Sequence, residues 1–313
     1  MGAFVKYRLS ALALTLLLAG CATVPPLASG PAVAITIDDL PVHGPIPKGM
    51  TALDVNREMV GAISRARVRG VMGFVNGRWT EDDPTGTAAL EIWRNAGIPL
   101  GNHTWSHKNI NDLPVADYET EIRRNEPVLS GLAGASDWRW FRYPYLAEGQ
   151  DPAKRDAIRA FLAARGYKIA GVTMSFSDWQ FTAPYARCKD AGNAAAIAEM
   201  ERLYLDAARD HLRYSRAVMR SAYGREVPLV LLMHVGAMSA HMMPRVIYLY
   251  RSMGVRFIPL AEAQADPAYA EELSPALAAR TQSPPALAQR NGLTAQPPAD
   301  NQARLDAMCQ TIR

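Results

Sequence analysis

The chain has 313 residues, of which 49 % are hydrophobic and 20 % are charged, a composition typical of a globular protein with one large domain or two smaller ones. The formal net charge is +4, and removal of residues 1–20 would take away Lys6 and Arg8 and no acidic residue, which leaves +2. Because no block of Lys and Arg could form a stripe of phosphate contacts, we expect no nucleic-acid partner.

The first 20 residues have the pattern of an export signal. Lys6 and Arg8 make a positive start, and the apolar run 11–19 that follows is too short to span a bilayer comfortably. Small residues at the end of this run precede Cys21 and resemble the bacterial lipobox, in which that cysteine is lipidated and becomes the mature N-terminus. The alternative is a plain signal peptide followed by a chance cysteine.

Residues 21–31 are small and rich in proline, and we interpret them as a tether. The expected location is therefore outside the cytoplasm, with the protein held on a membrane by a lipid on Cys21 and facing the periplasm. Ala22 resembles the residue after the cysteine in lipoproteins that are sorted to the outer membrane, which is one destination that the sequence allows.

Two further cysteines, Cys188 and Cys309, remain after export to an oxidising compartment. They could form a disulfide, but a sequence contains no distances, and two free thiols stay an alternative. Beyond about Ser274 the chain is rich in Ala, Pro and Gln, which predicts a mostly disordered tail over residues 274–313. The folded domain is therefore expected over residues 32–273.

Within this domain, short apolar runs alternate with amphipathic helical stretches seven times. Such alternation predicts parallel strands joined by right-handed crossovers. The periodicity alone leaves an open sheet and a barrel as alternatives. The predicted strands cover residues 33–37, 70–75, 98–100, 138–143, 167–173, 227–233 and 255–258.

Ionisable residues follow five of these strands. In parallel α/β folds the carboxyl ends of the strands are where active sites form, so we expect these side chains to meet. They are Asp38 and Asp39, His103 and His107, Arg142, Asp178, and His234.

Asp39, His103 and His107 form a set of two histidines and one carboxylate that could hold a catalytic metal. The histidines are four residues apart, so a helical turn would direct both imidazoles to one point. Such a set suits Zn²⁺, and Co²⁺ or Ni²⁺ would fit similar ligands. Asp38 would then be free to take a proton from water, and His234 could protonate a leaving nitrogen. A solvated turn and hydrogen-bonded histidines are the alternatives for each group taken alone.

These residues resemble the motifs of the polysaccharide deacetylases, which are carbohydrate esterase family 4 and carry the NodB homology domain. The resemblance follows the family's order over about residues 33–260. The segments that match are residues 36–39, 101–107, 142–145, 178–179 and 231–234, with residues 74–77 between the first two. The resemblance implies an α/β fold, a distorted (β/α) barrel of about seven parallel strands.

The resemblance also implies roles for the ionisable residues. Asp38 would be the catalytic base, and Arg142 would orient it and keep it ionised. His234 would be the general acid, with Asp178 tuning it. The metal ligands would be Asp39, His103 and His107.

Three more residues are expected to contact the substrate by resemblance. The backbone N–H of Tyr145 would stabilise the oxyanion of the tetrahedral intermediate. Trp179 and Leu232 would wall a small pocket for the acetyl methyl group. For these two residues taken alone, plain core packing is the alternative.

The chain departs from the family pattern in three places. Leu40 and Pro41 stand where the family usually has Gly-Pro, and this change brings His43 close to the site. His43 could be an exposed loop residue, a substrate contact or an auxiliary proton donor. Leu146 stands where Gly is common, and the stretch between motifs four and five is long, so the substrate groove is expected to differ.

The expected activity is metal-dependent removal of N-acetyl groups from an envelope or extracellular glycan, such as peptidoglycan or an N-acetylglucosamine polymer. This reaction is hydrolysis of a carbon–nitrogen bond other than a peptide bond. One alternative is hydrolysis of a small acylated molecule or an O-acetyl ester at the same metal site. Another is a catalytically inactive glycan-binding lipoprotein. The oligomeric state does not follow from the sequence.

Overall fold

A computed structural model describes residues 1–2, 30–83, 85–270 and 283–310. Cys21, the predicted signal segment except for its first two residues, and the predicted tether up to residue 29 lie outside the described residues. In the described ranges, no helix combines the length and the apolar character needed to cross a membrane.

The core of the fold is one sheet of eight strands. All strand pairs run parallel, and the order is β5-β4-β3-β2-β1-β7-β6, with β8 paired to β1. The strands curl into a half-barrel surrounded by helices, which confirms the predicted distorted barrel. Their bounds are β1 Ala32–Leu40, β2 Met72–Val75, β3 Leu100–Asn102, β4 Trp140–Phe141, β5 Lys168–Ile169, β6 Met174–Ser175, β7 Leu229–His234 and β8 Arg256–Phe257.

The central strand of the sheet is β1, and its pairing with β7 places two of the predicted site residues opposite each other. Eight of its nine residues are buried, as expected for a parallel strand covered on both faces. It pairs with β7 without interruption from Val33 opposite Leu229 to Asp38 opposite His234. The shared register therefore brings the first aspartate and the last histidine of the motifs to the same edge of the sheet.

Helices cover the sheet, and most follow the predicted alternation. The helix α1 begins at a capping box in which Thr51 and Asp54 bond to each other's backbone, and it buries Val55, Met59 and Ile63 at helical spacing. The helices are α1 Ala52–Arg65, α2 Trp79–Asp82, α3 Gly86–Asn95, α4 Val115–Leu132, α5 Pro152–Ala164, α6 Thr182–Asp190, α7 Ala194–Tyr223, α8 Ala237–Ser252, α9 Leu260–Ala263, α10 Pro284–Arg290 and α11 Gln302–Ala307.

The predicted fifth strand, residues 167–173, differs from the structure. Only β5 lies within the predicted range, and β6, which begins directly after it at Met174, was not predicted. These two strands lie at opposite ends of the strand order. Between them, the carbonyls of Ala170 and Gly171 accept hydrogen bonds from the Arg142 guanidinium at 2.8 and 3.4 Å. These carbonyls therefore bond to a buried side chain instead of a neighbouring strand, and the chain crosses from one edge of the sheet to the other.

The described part of the C-terminal segment, residues 283–310, is folded, in contrast to the predicted disorder. Leu287 of α10 and Leu305 of α11 are buried in the main core, and α10 packs against α7. A disulfide joins Cys188 and Cys309 across a Cα–Cα distance of 5.2 Å, which decides between the two alternatives for these cysteines. Sparse apolar residues and one covalent link hold this segment, and neither produces a periodic pattern in the sequence.

Candidate active site

A cavity of about 350 Å³ lies at the carboxyl edge of the sheet. It brings together residues from the carboxyl ends of β1, β6 and β7 and from the segments that follow β1, β3, β4 and β6. Its lining consists of Asp38, Asp39, His43, His103, His107, Tyr143, Tyr145, Leu146, Ser175, Trp179, Leu232 and His234.

Two neighbouring aspartates reach this cavity from the end of β1. Side chains in a strand alternate between its faces, so adjacent residues would normally point apart. The pairing of β1 with β2 is irregular between Ile37 and Leu40, and Asp39 takes a left-handed φ of +66°, a conformation that aspartate tolerates better than most residues. This irregularity allows both buried carboxylates to line one cavity.

The three predicted metal ligands converge. The Nε2 atoms of His103 and His107 each lie 3.3 Å from Asp39 Oδ1, and the three ligand atoms lie within 4.8 Å of one another. The histidines do not come from a helical turn as expected. They lie in an irregular loop after β3, in which Thr104 and His107 have φ of +64° and +55°, and this loop redirects the second imidazole toward the first.

The hydrogen bonds around these ligands fit a cation. His103 Nδ1 lies 2.7 Å from the carbonyl oxygen of Arg142, so in the neutral tautomer Nδ1 carries the proton and Nε2 presents a lone pair. That lone pair faces Asp39 Oδ1, which is buried and accepts no hydrogen bond from the described residues. Two acceptors that face each other in a buried site repel, and a divalent cation between them would remove the repulsion.

The pKa values of two ligands favour the protonation states that metal binding requires. Burial is the main cause that lowers the pKa of His107 to about 4, and a protonated His103 would lower it further, so the His107 ring is neutral at neutral pH. Burial alone would raise the pKa of Asp39, but the interactions with His103 and His43 hold it well below its usual value. A neutral imidazole and an ionised carboxylate can bind a cation without releasing protons.

Asp38 is held by a buried arginine. Arg142 NH1 lies 3.4 Å from Asp38 Oδ2, while its other nitrogens donate to Ala170 O and to Thr36 Oγ1 at 2.8 and 3.1 Å. The guanidinium also lies over the Phe74 ring, 4.9 Å from its centroid. Arg142 is therefore fixed on several sides, and its guanidinium is positioned to orient the carboxyl group of Asp38.

His234 is paired with a fully buried aspartate. Its Nδ1 lies 2.8 Å from Asp178 Oδ1, and its backbone N–H donates to Asp178 Oδ2 at 2.8 Å. Burial alone would lower the pKa of His234, but the charge and hydrogen bond of Asp178, with smaller contributions from Asp39 and Asp38, raise it to about 9. The imidazole is therefore a cationic acid at neutral pH.

The remaining predicted contacts form the walls and mouth of the cavity. Leu232 is buried, whereas Trp179 and Tyr145 are 45 % and 65 % exposed. Tyr145 has a φ of +59°, and its ring contacts that of His107 with centroids 4.6 Å apart. An aromatic rim around a buried charged floor could bind a sugar ring above the reacting group.

Residues 28–168 match the family model described as polysaccharide deacetylase. This part of the chain is therefore similar to the polysaccharide deacetylases. The match includes the predicted base, the three predicted metal ligands and Arg142, whereas Asp178 and His234 lie beyond it.

Solved structures of this family have the same fold. A chitin deacetylase from the fungus Colletotrichum lindemuthianum is 20 % identical to this chain, with a TM-score of 0.53. The match covers 75 % of this chain and 88 % of the chitin deacetylase. A structure described as T48 deacetylase with substrate is 18 % identical with a TM-score of 0.51, and covers 81 % and 98 %. A family 4 pseudoenzyme from Bacillus anthracis is 15 % identical with a TM-score of 0.50, and covers 75 % and 66 %. The fold alone therefore does not decide whether a polysaccharide deacetylase is active.

The structure brings all ten residues of the predicted catalytic, metal and substrate groups to one end of the sheet, where Arg142 and Asp178 lie behind the residues that line the cavity. Sequence reasoning did not single out Tyr143, Ser175 or Leu146 as parts of the cavity wall. Tyr143 and Leu146 stand within or beside a motif of polysaccharide deacetylases, which could have indicated them. Ser175 had no such signal, because it lies in β6, which was not predicted as a strand.

Proposed function

We propose that the protein is a metal-dependent hydrolase that removes N-acetyl groups from an envelope or extracellular glycan, such as peptidoglycan or an N-acetylglucosamine polymer. The observation that carries this proposal is the position of Asp39 Oδ1, 3.3 Å from two imidazole nitrogens, in a cavity that also contains Asp38 and His234. The products would be a free amine on the sugar and acetate.

The first step of the reaction is the attack of water on the acetamide carbonyl, and three groups of the cavity contribute to it. A divalent cation on Asp39, His103 and His107 would polarise the acetamide carbonyl and make water more acidic. Asp38, oriented by Arg142, takes the proton of the attacking water. The backbone N–H of Tyr145 stabilises the oxyanion that develops on the substrate.

Breakdown of the tetrahedral intermediate requires a proton on the leaving nitrogen, because an amide anion is a very poor leaving group. His234 supplies this proton, since its pKa of about 9 keeps it protonated at neutral pH. Asp178 lies behind it and holds the ring through Nδ1, which leaves Nε2 for the substrate. Trp179 and Leu232 enclose the acetyl methyl group.

The donor set favours zinc among the metals. Two imidazole nitrogens and one carboxylate oxygen leave coordination positions for water and substrate, as catalytic zinc sites do, and Co²⁺ or Ni²⁺ fits the same donors. Elemental analysis of the purified protein identifies the metal.

We also propose that the protein is exported and anchored by a lipid on Cys21, in contact with the periplasm. The disulfide between Cys188 and Cys309 supports an oxidising compartment. In cell fractionation, Cys21→Ser is expected to move the protein from the membrane fraction to the soluble fraction. Unchanged sedimentation of this variant would contradict the anchor.

The substrate class is tested by acetate release from three sets of compounds at equal acetyl concentration. These are N-acetylglucosamine polymers including peptidoglycan, small acetamides, and O-acetyl esters, each incubated with the wild type and with Asp38→Asn. We expect release from the polymers by the wild type alone. Release from small acetamides or esters alone would replace the glycan proposal by the hydrolysis of small acylated molecules.

A further inference from the structure

His43 makes a short contact with the carboxylate of Asp39. Its Nδ1 lies 2.6 Å from Asp39 Oδ2, and because a carboxylate only accepts, Nδ1 carries the proton. The other oxygen, Oδ1, is the one that faces His103 and His107. The two oxygens of one carboxylate are thereby divided between different partners.

The loop that carries His43 is fixed on both sides of the residue. The buried amide of Asn56 donates to Pro41 O at 2.6 Å, and the backbone N–H of His43 donates to Val235 O at 2.9 Å. Gly44 follows with a φ of +66°, and a Cβ at that position would lie 2.9 Å from Thr182 Cγ2. Contacts with α1, α6 and the residue after β7 therefore hold the backbone at His43 in a position from which its imidazole reaches Asp39.

We propose that His43 is a positioning residue of the metal centre, which holds Asp39 Oδ2 so that Oδ1 alone is directed at the metal. This inference rests on the metal site of the proposed function. A hydrogen bond to a ligating carboxylate fixes its rotamer before the cation arrives, and loss of such a bond typically weakens metal binding. The geometry also explains why Asp39 can carry a strained backbone and still present a defined ligand atom.

A direct role in proton transfer is the competing explanation, because the ring of His43 lies 4.9 Å from that of His234 between centroids. The two roles differ in one measurable respect. If His43 acts through Asp39, an excess of metal compensates for its loss. If it transfers a proton, no concentration of metal restores the rate.

The test compares His43→Ala with His43→Asn, whose amide can donate from nearly the position of Nδ1. His241→Ala is the matched control, because His241 bonds to Glu201 on α7 at 2.6 Å and does not line the cavity. The Kd for Zn²⁺ is measured on the metal-free purified proteins by competition with a chromogenic chelator. We expect a Kd on the order of ten- to a hundredfold higher for His43→Ala, recovery of most of the affinity in His43→Asn, and no change in the control.

The rate at saturating Zn²⁺ completes the test. We expect kcat of His43→Ala to return to near the wild-type value. An unchanged Kd in His43→Ala, or a kcat that stays low when zinc is saturating, would overturn the inference. A wild type that binds zinc but releases no acetate would refute the proposed function, while the Kd values would still decide the role of His43. A wild type that binds no zinc would overturn both.

Discussion

Replacement of Asp178 by Asn should move the alkaline limit of activity to lower pH. Asp178 is the main group that raises the pKa of His234, against burial, from 6.5 to about 9. The asparagine keeps the shape of the side chain and removes its charge, so burial then dominates and the pKa should fall to its ordinary value or below. Because a general acid must be protonated, activity is lost as the pH rises through this pKa.

The size of the effect follows from the two pKa values. With a fall from about 9 to about 6.5, the protonated fraction at pH 8 drops from roughly nine-tenths to roughly one-thirtieth, and the rate by about 30-fold. At pH 6 the same fall in the pKa of His234 lowers the rate by less than about twofold. A bound cation would lower the pKa of His234 in both the wild type and Asp178→Asn. The prediction therefore concerns the difference between the pH–activity profiles of the two proteins.

The assay is kcat/KM for acetate release between pH 5.5 and 9.5 on the wild type and Asp178→Asn. Ser239→Ala is the matched control, because Ser239 also donates to Asp178 Oδ2 at 2.8 Å but carries no charge. We expect an alkaline limb shifted to lower pH in Asp178→Asn and an almost unshifted one in the control. An equal loss at pH 6 and pH 8 would refute the assigned role of Asp178.

Three other substitutions test separate parts of the account. Asp38→Asn should abolish hydrolysis but retain the metal, because the base is lost and the ligands are kept, and turnover with a full complement of metal would exclude Asp38 as the base. His103→Ala should lose the metal by elemental analysis, and a stoichiometric metal in this variant would exclude His103 as a ligand. Cys309→Ser removes a link between residues 121 positions apart and should lower the free energy of unfolding by roughly 2–4 kcal/mol. A thermal melting curve equal to that of the oxidised wild type would contradict this expectation.

The position of the candidate site could be predicted because the sheet is parallel. Asp38 and His234 are 196 residues apart in sequence, yet each ends an apolar run, and the ends of parallel strands share one edge. The structure pairs these two residues directly across β1 and β7. A pattern of strand ends is therefore enough to predict which side chains meet, although it contains no information on distances.

Features that depend on three-dimensional contacts could not be predicted in this way. The fifth predicted strand ends early, at Ile169, just before two carbonyls that accept hydrogen bonds from Arg142, and such bonds leave no mark on local periodicity. The folded C-terminal segment depends on isolated residues such as Leu305 and on the disulfide of Cys309. His43 was noticed as a neighbour of the site, but its contact with Asp39 depends on the irregular end of β1.

The most direct test of the account is acetate release from an N-acetylglucosamine polymer before chelation, after chelation, and after Zn²⁺ or Co²⁺ is restored. Asp38→Asn, which keeps the proposed ligands, is treated in parallel. The account predicts that chelation abolishes release by the wild type, that metal restores it, and that the variant stays inactive throughout. Release that persists in the metal-free wild type would contradict the central claim that Asp39, His103 and His107 hold a catalytic metal.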